Sequence, residues 1–181
     1  MITRTLATVA LLSLAGCGGD MPSTDAGALP TSACPGPGCT ITGMIAACDL
    51  GFACTIPAGG SQDVQCGAGT TCRGTCGDSC NVDCSMGATC DVTTGDSTSS
   101  SCDAATCTIV AGNSASYDCT NGAVCDVTAN EGSSLGCESG STCTFTCEST
   151  CSAQCLGDST CTIQCPADGA PRSFTGEVSC E

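Results

Sequence analysis

Cysteine recurs in this chain with a period of eighteen residues, and this period restricts the fold more than any other feature. One series advances in steps of 18, 18, 18, 17, 18 and 18 residues: Cys48, Cys66, Cys84, Cys102, Cys119, Cys137 and Cys155. A second series follows five or six residues behind it: Cys54, Cys72, Cys90, Cys107, Cys125, Cys143 and Cys161. Cys34 and Cys39 begin a shorter first copy, which makes eight units. A fixed period of this size predicts coils that stack on one another.

Each unit carries the signals of two short strands and two turns. In most units a glycine lies between the two cysteines, as in CSMGATC at 84–90, and permits the positive φ of a tight turn. Alternating residues such as Cys90-x-Val92 then point to one side of a strand. A second turn rich in Gly, Asp, Asn and Ser follows, and the chain returns through a strand such as Val82-x-Cys84. The sequence therefore predicts an all-β, two-layer parallel β-solenoid of about eight 18-residue coils.

The cysteine spacing predicts disulfides that close the turns within each coil. Of the 23 cysteines, setting Cys17 aside leaves 22, an even number. We expect eight bridges across the first turns: Cys34–Cys39, Cys48–Cys54, Cys66–Cys72, Cys84–Cys90, Cys102–Cys107, Cys119–Cys125, Cys137–Cys143 and Cys155–Cys161. Three more would close second turns and a longer final loop: Cys76–Cys80, Cys147–Cys151 and Cys165–Cys180. The alternative connectivity joins one column of cysteines between neighbouring coils, which also lie within disulfide reach.

The first seventeen residues have the layout of an export signal. Arg4 supplies a positive charge, residues 6–14 form a short apolar run, and small residues follow. This run is too short for a spanning helix, which needs about 20 residues. The segment Leu14-Ala15-Gly16-Cys17 resembles the lipobox of bacterial lipoproteins.

That resemblance implies cleavage before Cys17, diacylation of its sulfur and acylation of the new amino terminus by palmitate-type chains. It therefore implies a lipid anchor in a membrane and, because Gly18 rather than Asp follows, the outer membrane of the cell envelope. The predicted division is a signal peptide at 1–16, the lipidated cysteine and a flexible linker at 17–33, and the cysteine-rich solenoid at 34–181. An exported, oxidising compartment favours disulfides. The alternative is a plain secretory peptide in which Cys17 is incidental.

The composition excludes several classes of function. The chain has no His, and its three basic residues are all Arg, which removes imidazole metal sites, histidine-activated nucleophiles and Schiff-base chemistry. A formal charge of −15 repels nucleic acid. Aromatic residues make up 2% of the chain, and two of them, Tyr117 and Phe145, fall on inward positions of the predicted strands, which leaves too few to predict a sugar-binding platform. We therefore expect no enzyme, no catalytic residues, no nucleic-acid partner and no cofactor beyond the covalent lipid.

Threonines align in three outward columns of the predicted coils. The columns are Thr71, Thr89, Thr106, Thr142 and Thr160; Thr40, Thr55, Thr108, Thr144 and Thr162; and Thr42, Thr75, Thr93, Thr128 and Thr146. The Thr-Cys-Thr runs at 106–108, 142–144 and 160–162 resemble the repeat of beetle antifreeze proteins, which are disulfide-bridged β-solenoids with an ice-binding Thr array. The period of that family is shorter, and Arg73, Asp91 and Asp126 interrupt the middle column here. Threonine is also an ordinary solvent-facing strand residue.

Two metal-binding alternatives follow from the repeat. The second turns stack oxygen ligands suited to Ca²⁺, namely Asp78, Asp96, Asn113 and Glu131, although ordinary turn chemistry also explains them. The cysteines could instead be thiolate metal ligands, as in metallothioneins, because C-x3-C steps occur at Cys72-Cys76-Cys80-Cys84 and Cys143-Cys147-Cys151-Cys155. Metallothioneins favour C-x-C and C-x2-C with many Lys, however, and the export signal favours oxidation, so we predict no metal site.

The sequence favours a non-catalytic, lipid-anchored envelope protein that acts as a structural spacer or as a module for a protein or surface partner. The alternative is a solenoid that binds divalent cations at its acidic turns, or ice and surfaces through its threonines.

Overall fold

The computed structural model describes residues 39–42, 45–48, 53–56 and 63–181, and its regular elements there are all β-strands. The strands are β1 Cys39–Thr42, β2 Ile45–Cys48, β3 Ala53–Ile56, β4 Asp63–Cys66, β5 Thr71–Cys76, β6 Asn81–Cys84, β7 Thr89–Thr94, β8 Ser99–Asp103, β9 Thr106–Val110, β10 Ser116–Thr120, β11 Val124–Ala129, β12 Ser133–Cys137, β13 Thr142–Cys147, β14 Cys151–Cys155, β15 Thr160–Gln164, β16 Arg172–Phe174 and β17 Gly176–Cys180. No helix in these ranges is long and apolar enough to cross a membrane.

The strands form two sheets, and from β2 to β15 the chain alternates between them. Sheet I has nine strands in the order β1-β2-β4-β6-β8-β10-β12-β14-β17, and sheet II has eight in the order β16-β15-β13-β11-β9-β7-β5-β3. Neighbouring strands between β2 and β15 are parallel and in register, so that Cys84 pairs with Cys102 in sheet I and Cys90 with Cys107 in sheet II. The predicted all-β parallel solenoid is therefore confirmed.

The number of coils is smaller than predicted. Seven strand pairs, from β2–β3 to β14–β15, make about six turns rather than eight coils. The expected first coil is instead a strand, β1, which runs antiparallel to β2 in sheet I. Its Cys39 lies only nine residues before Cys48, half a period, and the two are register partners. So short a segment cannot supply both strands of a coil, and the chain turns back along the same sheet.

The final segment also differs from the loop expected between Cys165 and Cys180. It contains two strands that cover the last coil: β16 pairs antiparallel with β15, and β17 pairs antiparallel with β14. These strands occupy backbone groups that the end of the stack would otherwise expose.

The first turns use left-handed backbone at their centres, as the sequence predicts. Gly69, Gly87, Gly122 and Gly140 have φ between 69° and 75°. The turn between Cys102 and Cys107 has one residue fewer, and Ala104 takes the left-handed conformation there with φ 48°. A β-carbon makes this conformation costly, by about 1–2 kcal/mol.

The core between the sheets is built from cysteines and small apolar residues. The inward column of sheet I runs Val64, Val82, Ser100, Tyr117, Leu135 and Ala153, and that of sheet II includes Val92, Ile109, Val127, Phe145 and Ile163. Tyr117 and Phe145, the aromatic residues predicted to face inward, are 1% and 0% exposed.

The residues on either side of each second turn face each other in pairs and close the other edge of the core. The chemistry of these pairs changes from coil to coil. The first and last described pairs are disulfides, Cys76–Cys80 and Cys147–Cys151. One coil above the first disulfide, Thr94 and Thr98 occupy the equivalent positions, and their hydroxyls lie 3.0 Å apart. The phenol of Tyr117 lies 3.1 Å and 3.2 Å from these two hydroxyls, so the three groups form a buried hydrogen-bonded triangle.

The buried phenol predicts a loss of stability at alkaline pH. Burial raises the pKa of Tyr117 above its ordinary value, although the bonds from Thr94 and Thr98 act in the opposite direction. The folded chain therefore keeps its proton at a pH where the unfolded chain loses it, so the stabilisation is complete below about pH 10 and falls as pH rises further. Tyr117 is the only tyrosine and the chain has no Lys. We expect the phenolate absorbance to appear together with unfolding, and Tyr117→Phe to abolish the pH dependence in this range.

The buried hydroxyl of Ser100 predicts a stabilising substitution. Ser100 is 4% exposed, and its Oγ has no hydrogen-bond partner among the described residues. Because an unsatisfied buried hydroxyl costs about 1–3 kcal/mol, Ser100→Ala is expected to raise the free energy of unfolding by about 1 kcal/mol in guanidinium titrations without reductant. Ser133→Ala is the matched control, because Ser133 Oγ accepts from the Ala115 N–H at 3.2 Å and donates to the Gly112 carbonyl. An equal gain in both variants would contradict the explanation.

Candidate functional site

The outer face of sheet II, here called the threonine face, presents three columns of side chains in register. In register order across β5, β7, β9, β11, β13 and β15 the columns are Thr71, Thr89, Thr106, Val124, Thr142, Thr160; Arg73, Asp91, Thr108, Asp126, Thr144, Thr162; and Thr75, Thr93, Val110, Thr128, Thr146, Gln164. Twelve of these eighteen side chains are threonine. Parallel pairing without slippage places equivalent residues about 4.8 Å apart along each column.

Two of the predicted members lie elsewhere. Thr40 and Thr42 belong to β1 of sheet I, where they pair with Ala47 and Ile45, so their assignment to the threonine columns is wrong. β1 pairs antiparallel with β2, and this pairing keeps both strands in sheet I. The backbone of Thr55 is in register with Arg73, as predicted, but its side chain lies outside the described residues.

Charged residues divide the threonine face into unequal parts. Arg73 Nε lies 3.9 Å from Asp91 Oδ2, and these side chains are 69% and 61% exposed, so the pair contributes little to stability. Asp126 interrupts the middle column once more, and Val110 and Val124 are exposed neighbours of the threonines. The uninterrupted part of the middle column is Thr144 and Thr162 on the last two coils.

The acidic second turns form a ladder that links coil to coil. Asp78 Oδ1 accepts a hydrogen bond from the backbone N–H of Asp96 at 2.9 Å. Asp96 Oδ1 in turn accepts from the N–H of Asn113 at 2.7 Å and from its side-chain Nδ2 at 3.2 Å. The predicted stacking of these turns is present, and the carboxylates of Asp78 and Asp96 cap the next coil.

Glycines allow this ladder to form. A β-carbon on Gly95 would lie 2.7 Å from the backbone nitrogen of Asp78, and one on Gly112 would lie 2.6 Å from the carbonyl carbon of Gly95. These contacts are too short for any other residue. The glycines therefore bring each turn close enough for the carboxylate below it to reach the N–H above.

The outer face of sheet I is polar as well, and none of the predictions above includes it. Its serines follow one column, Ser99, Ser116, Ser134 and Ser152. A shallow depression over Gly136 is bordered by Asp118, Gln154 and Glu177. The polar alternation in the return strands, as in DVQC and NVDC, is the signal that could have indicated this face.

The described residues contain nine disulfides, and each of them lies within one coil or one terminal segment. They are Cys66–Cys72, Cys76–Cys80, Cys84–Cys90, Cys102–Cys107, Cys119–Cys125, Cys137–Cys143, Cys147–Cys151, Cys155–Cys161 and Cys165–Cys180. These are pairs of the within-coil scheme. The other two pairs of that scheme involve Cys34 and the side chain of Cys54, which lie outside the described residues, as does Cys17.

Over the described residues the two sheets present extended polar faces, with threonine columns on sheet II and a serine column on sheet I. Five groups of three buried cysteine sulfurs lie within 4.8 Å of one another, and each group contains one of these disulfides. A bridged sulfur is not a thiolate, which is the form that binds metal.

Comparison of the chain with protein-family models, with curated proteins and with solved structures gives no match.

Proposed function

We propose that this protein is a non-catalytic, lipid-anchored component of the cell envelope that acts as a stiff spacer or surface interaction module. The observation that carries the proposal is the stack itself, with seven parallel strands in each sheet and a disulfide in each coil from β4 to β15. Such a body keeps a fixed length and presents a repetitive polar surface on both sides. Its partner in this proposal is a protein or a solid surface.

The amino-terminal segment supports the anchor in this proposal. Three acyl chains at Cys17 would hold the protein stably where one chain would be marginal. Cleavage before Cys17 would also remove Arg4 and leave Arg73 and Arg172 against 18 acidic residues. A strongly acidic solenoid is repelled by anionic head groups, which keeps it away from the bilayer at the end of the 17–33 linker.

The anchor is tested by labelling and fractionation in a bacterial host. The unaltered chain is expected to take up an alkyne-tagged fatty acid and to sediment with the outer membrane. Cys17→Ser is expected to lose both properties, whereas Cys76→Ser, which also removes one cysteine, keeps them. Equal membrane association of the unaltered chain and Cys17→Ser would contradict the anchor.

The spacer is tested by its shape in solution. The nine strands of sheet I span eight intervals of about 4.8 Å, or about 38 Å. Small-angle scattering of the Cys17→Ser chain should show a rigid rod of this length carrying a flexible end. A rod that shortens or bends freely at physiological ionic strength would contradict the spacer.

Surface binding through the threonine face is the second candidate, and the register of its twelve threonines favours it. Hydroxyl and methyl groups repeated about 4.8 Å apart along each column present a periodic surface to a periodic solid such as ice. Thr144→Lys and Ser134→Lys place the same charge on opposite faces of one coil. Ice shaping or adsorption that Thr144→Lys abolishes and Ser134→Lys preserves would support this candidate. Equal effects of both substitutions, or no activity in the unaltered chain, would contradict it.

The other ligand-binding alternative is that the acidic second turns bind divalent cations. The hydrogen bonds of Asp78 and Asp96 to the next coil explain these residues without a cation. A calcium-dependent rise in melting temperature that Asp96→Asn removes would favour cation binding over the structural role.

A further inference from the structure

Five cysteines of sheet II form a continuous column of sulfurs through the core, here called the sulfur column: Cys72, Cys90, Cys107, Cys125 and Cys143. Each member above Cys72 lies within 4.8 Å of both sulfurs of the disulfide one coil below it. Cys90, for example, lies this close to Cys66 and Cys72, which are bonded to each other. A cysteine of one bridge is therefore a direct neighbour of the next bridge.

We propose that the sulfur column carries out thiol–disulfide exchange between coils, so that a free thiol formed at one coil moves to its neighbours. If the thiolate of Cys90 attacks Cys72 Sγ, the Cys72–Cys90 bond forms and the Cys66–Cys72 bond breaks. The electron pair leaves on Cys66, which then takes up a proton. The number of disulfides is unchanged, so the exchange itself needs neither oxidant nor reductant. The free thiol that starts it comes from incomplete oxidation during folding or from a dithiol in solution.

The geometry of the backbone permits both the starting and the exchanged bridges. Cys72 and Cys90 are register partners on adjacent parallel strands, which lie about 4.8 Å apart. A disulfide accepts Cα separations of about 4.4–6.8 Å. The new bridge between coils therefore forms without moving a strand, as the bridge within the coil does.

Burial makes the exchange internal to the protein. The five sulfurs of the column belong to residues only 1–2% exposed, so a thiol from solution reaches them poorly. The neighbouring bridge is held beside the thiolate, which replaces a bimolecular encounter by an intramolecular step. During oxidative folding such exchange would let a mispaired coil be corrected by the coil next to it.

Cys76→Ser and Cys84→Ser provide a matched test, because each releases one buried thiol. Cys84→Ser frees Cys90, inside the sulfur column. Cys76→Ser frees Cys80, and the register places Thr94 and Thr98 beside that pair in the coil above. Monomers of both variants are incubated near the ordinary thiol pKa of about 8.5, quenched in acid, alkylated and mapped by peptic digestion.

The free thiol of Cys84→Ser is expected to spread from Cys90 to Cys66, Cys72 or Cys102. The label found away from the original cysteine should exceed that of Cys76→Ser several-fold. Label that stays on Cys90, as it stays on Cys80 in the control, would overturn the proposal. If Cys84→Ser does not fold, Cys119→Ser decides by the same criterion, since it frees Cys125 beside Cys102 and Cys107.

The unaltered chain gives an independent answer. Treated with less than one equivalent of a small dithiol, which reaches a buried bridge only when a coil opens transiently, it should acquire bridges between coils within the sulfur column and none at Cys76 or Cys80. Bridges within coils only, after partial reduction, would also overturn the proposal.

Discussion

We expect full reduction of the disulfides to unfold the solenoid at room temperature, measured as loss of the strand signal in circular dichroism. A bridge with a sequence separation of six, such as Cys84–Cys90, contributes about 2.4 kcal/mol through the entropy of the unfolded chain. Nine bridges lie in the described residues. Even half of their summed effect, about 10 kcal/mol, matches the whole stability of an ordinary domain at about 5–15 kcal/mol.

The apolar core cannot replace the bridges. In the coil of β8 and β9 the buried residues other than cysteine and threonine are Ser100, Ala105, Ile109 and Ala111. One isoleucine contributes about 1.5–3 kcal/mol by burial, whereas ordering each residue of the coil costs about 1–2 kcal/mol. Hydrophobic burial therefore leaves a large deficit in such a coil.

The control for reduction is a variant that lacks one bridge. Cys76→Ser combined with Cys80→Ser removes a single disulfide and is expected to stay folded with a lower melting temperature. The free thiols of the reduced chain are counted to show that reduction is complete. A strand signal that persists with every thiol free would contradict the dependence on disulfides.

Removal of the terminal strands is expected to convert the monomer into oligomers or fibres. A chain that ends at residue 165, with Cys165→Ser to avoid a free thiol, lacks β16 and β17. Their loss exposes the backbone N–H and C=O groups of β14 and β15, which they cover now. Two open edges at the same end of a parallel stack are a template for another chain. Light scattering coupled to gel filtration measures the change in mass.

The matched control keeps both strands but removes their disulfide. Cys165→Ser combined with Cys180→Ser in the full chain should remain monomeric, because β17 still pairs with β14 over residues 176–180. A truncated chain that stays monomeric at high concentration would show that these edges do not associate.

The sequence predicted the repeating part of the fold because one period determines the position of every strand. Cysteine near one boundary of most strands and glycine at the centre of most first turns, as at Gly87, repeat the same local pattern from unit to unit. Inward positions of Tyr117 and Phe145 followed from strand alternation alone. The three threonine columns followed in the same way wherever the coils are complete.

The ends of the stack could not be predicted, because there the period stops. Strands β1 and β2 lie too close along the chain to form a coil and pair antiparallel instead, and residues 172–180 lack the cysteine pattern that would align them. The triangle of Thr94, Thr98 and Tyr117 was also missed, because it depends on contacts between three different strands and turns. The carboxylate caps of the second turns could not be predicted either. They depend on the distance between neighbouring coils, which the spacing of residues along the chain does not specify.

Strands β1, β16 and β17 lie at the ends of the stack, whereas the number of coils between them determines its length. The gene can gain or lose DNA encoding one whole unit by recombination between similar repeats, and the terminal strands would still meet an ordinary coil. Every product would keep the same terminal strands and would differ in length. Related chains in other lineages are therefore expected to differ in length by whole multiples of the period, with the terminal segments retained.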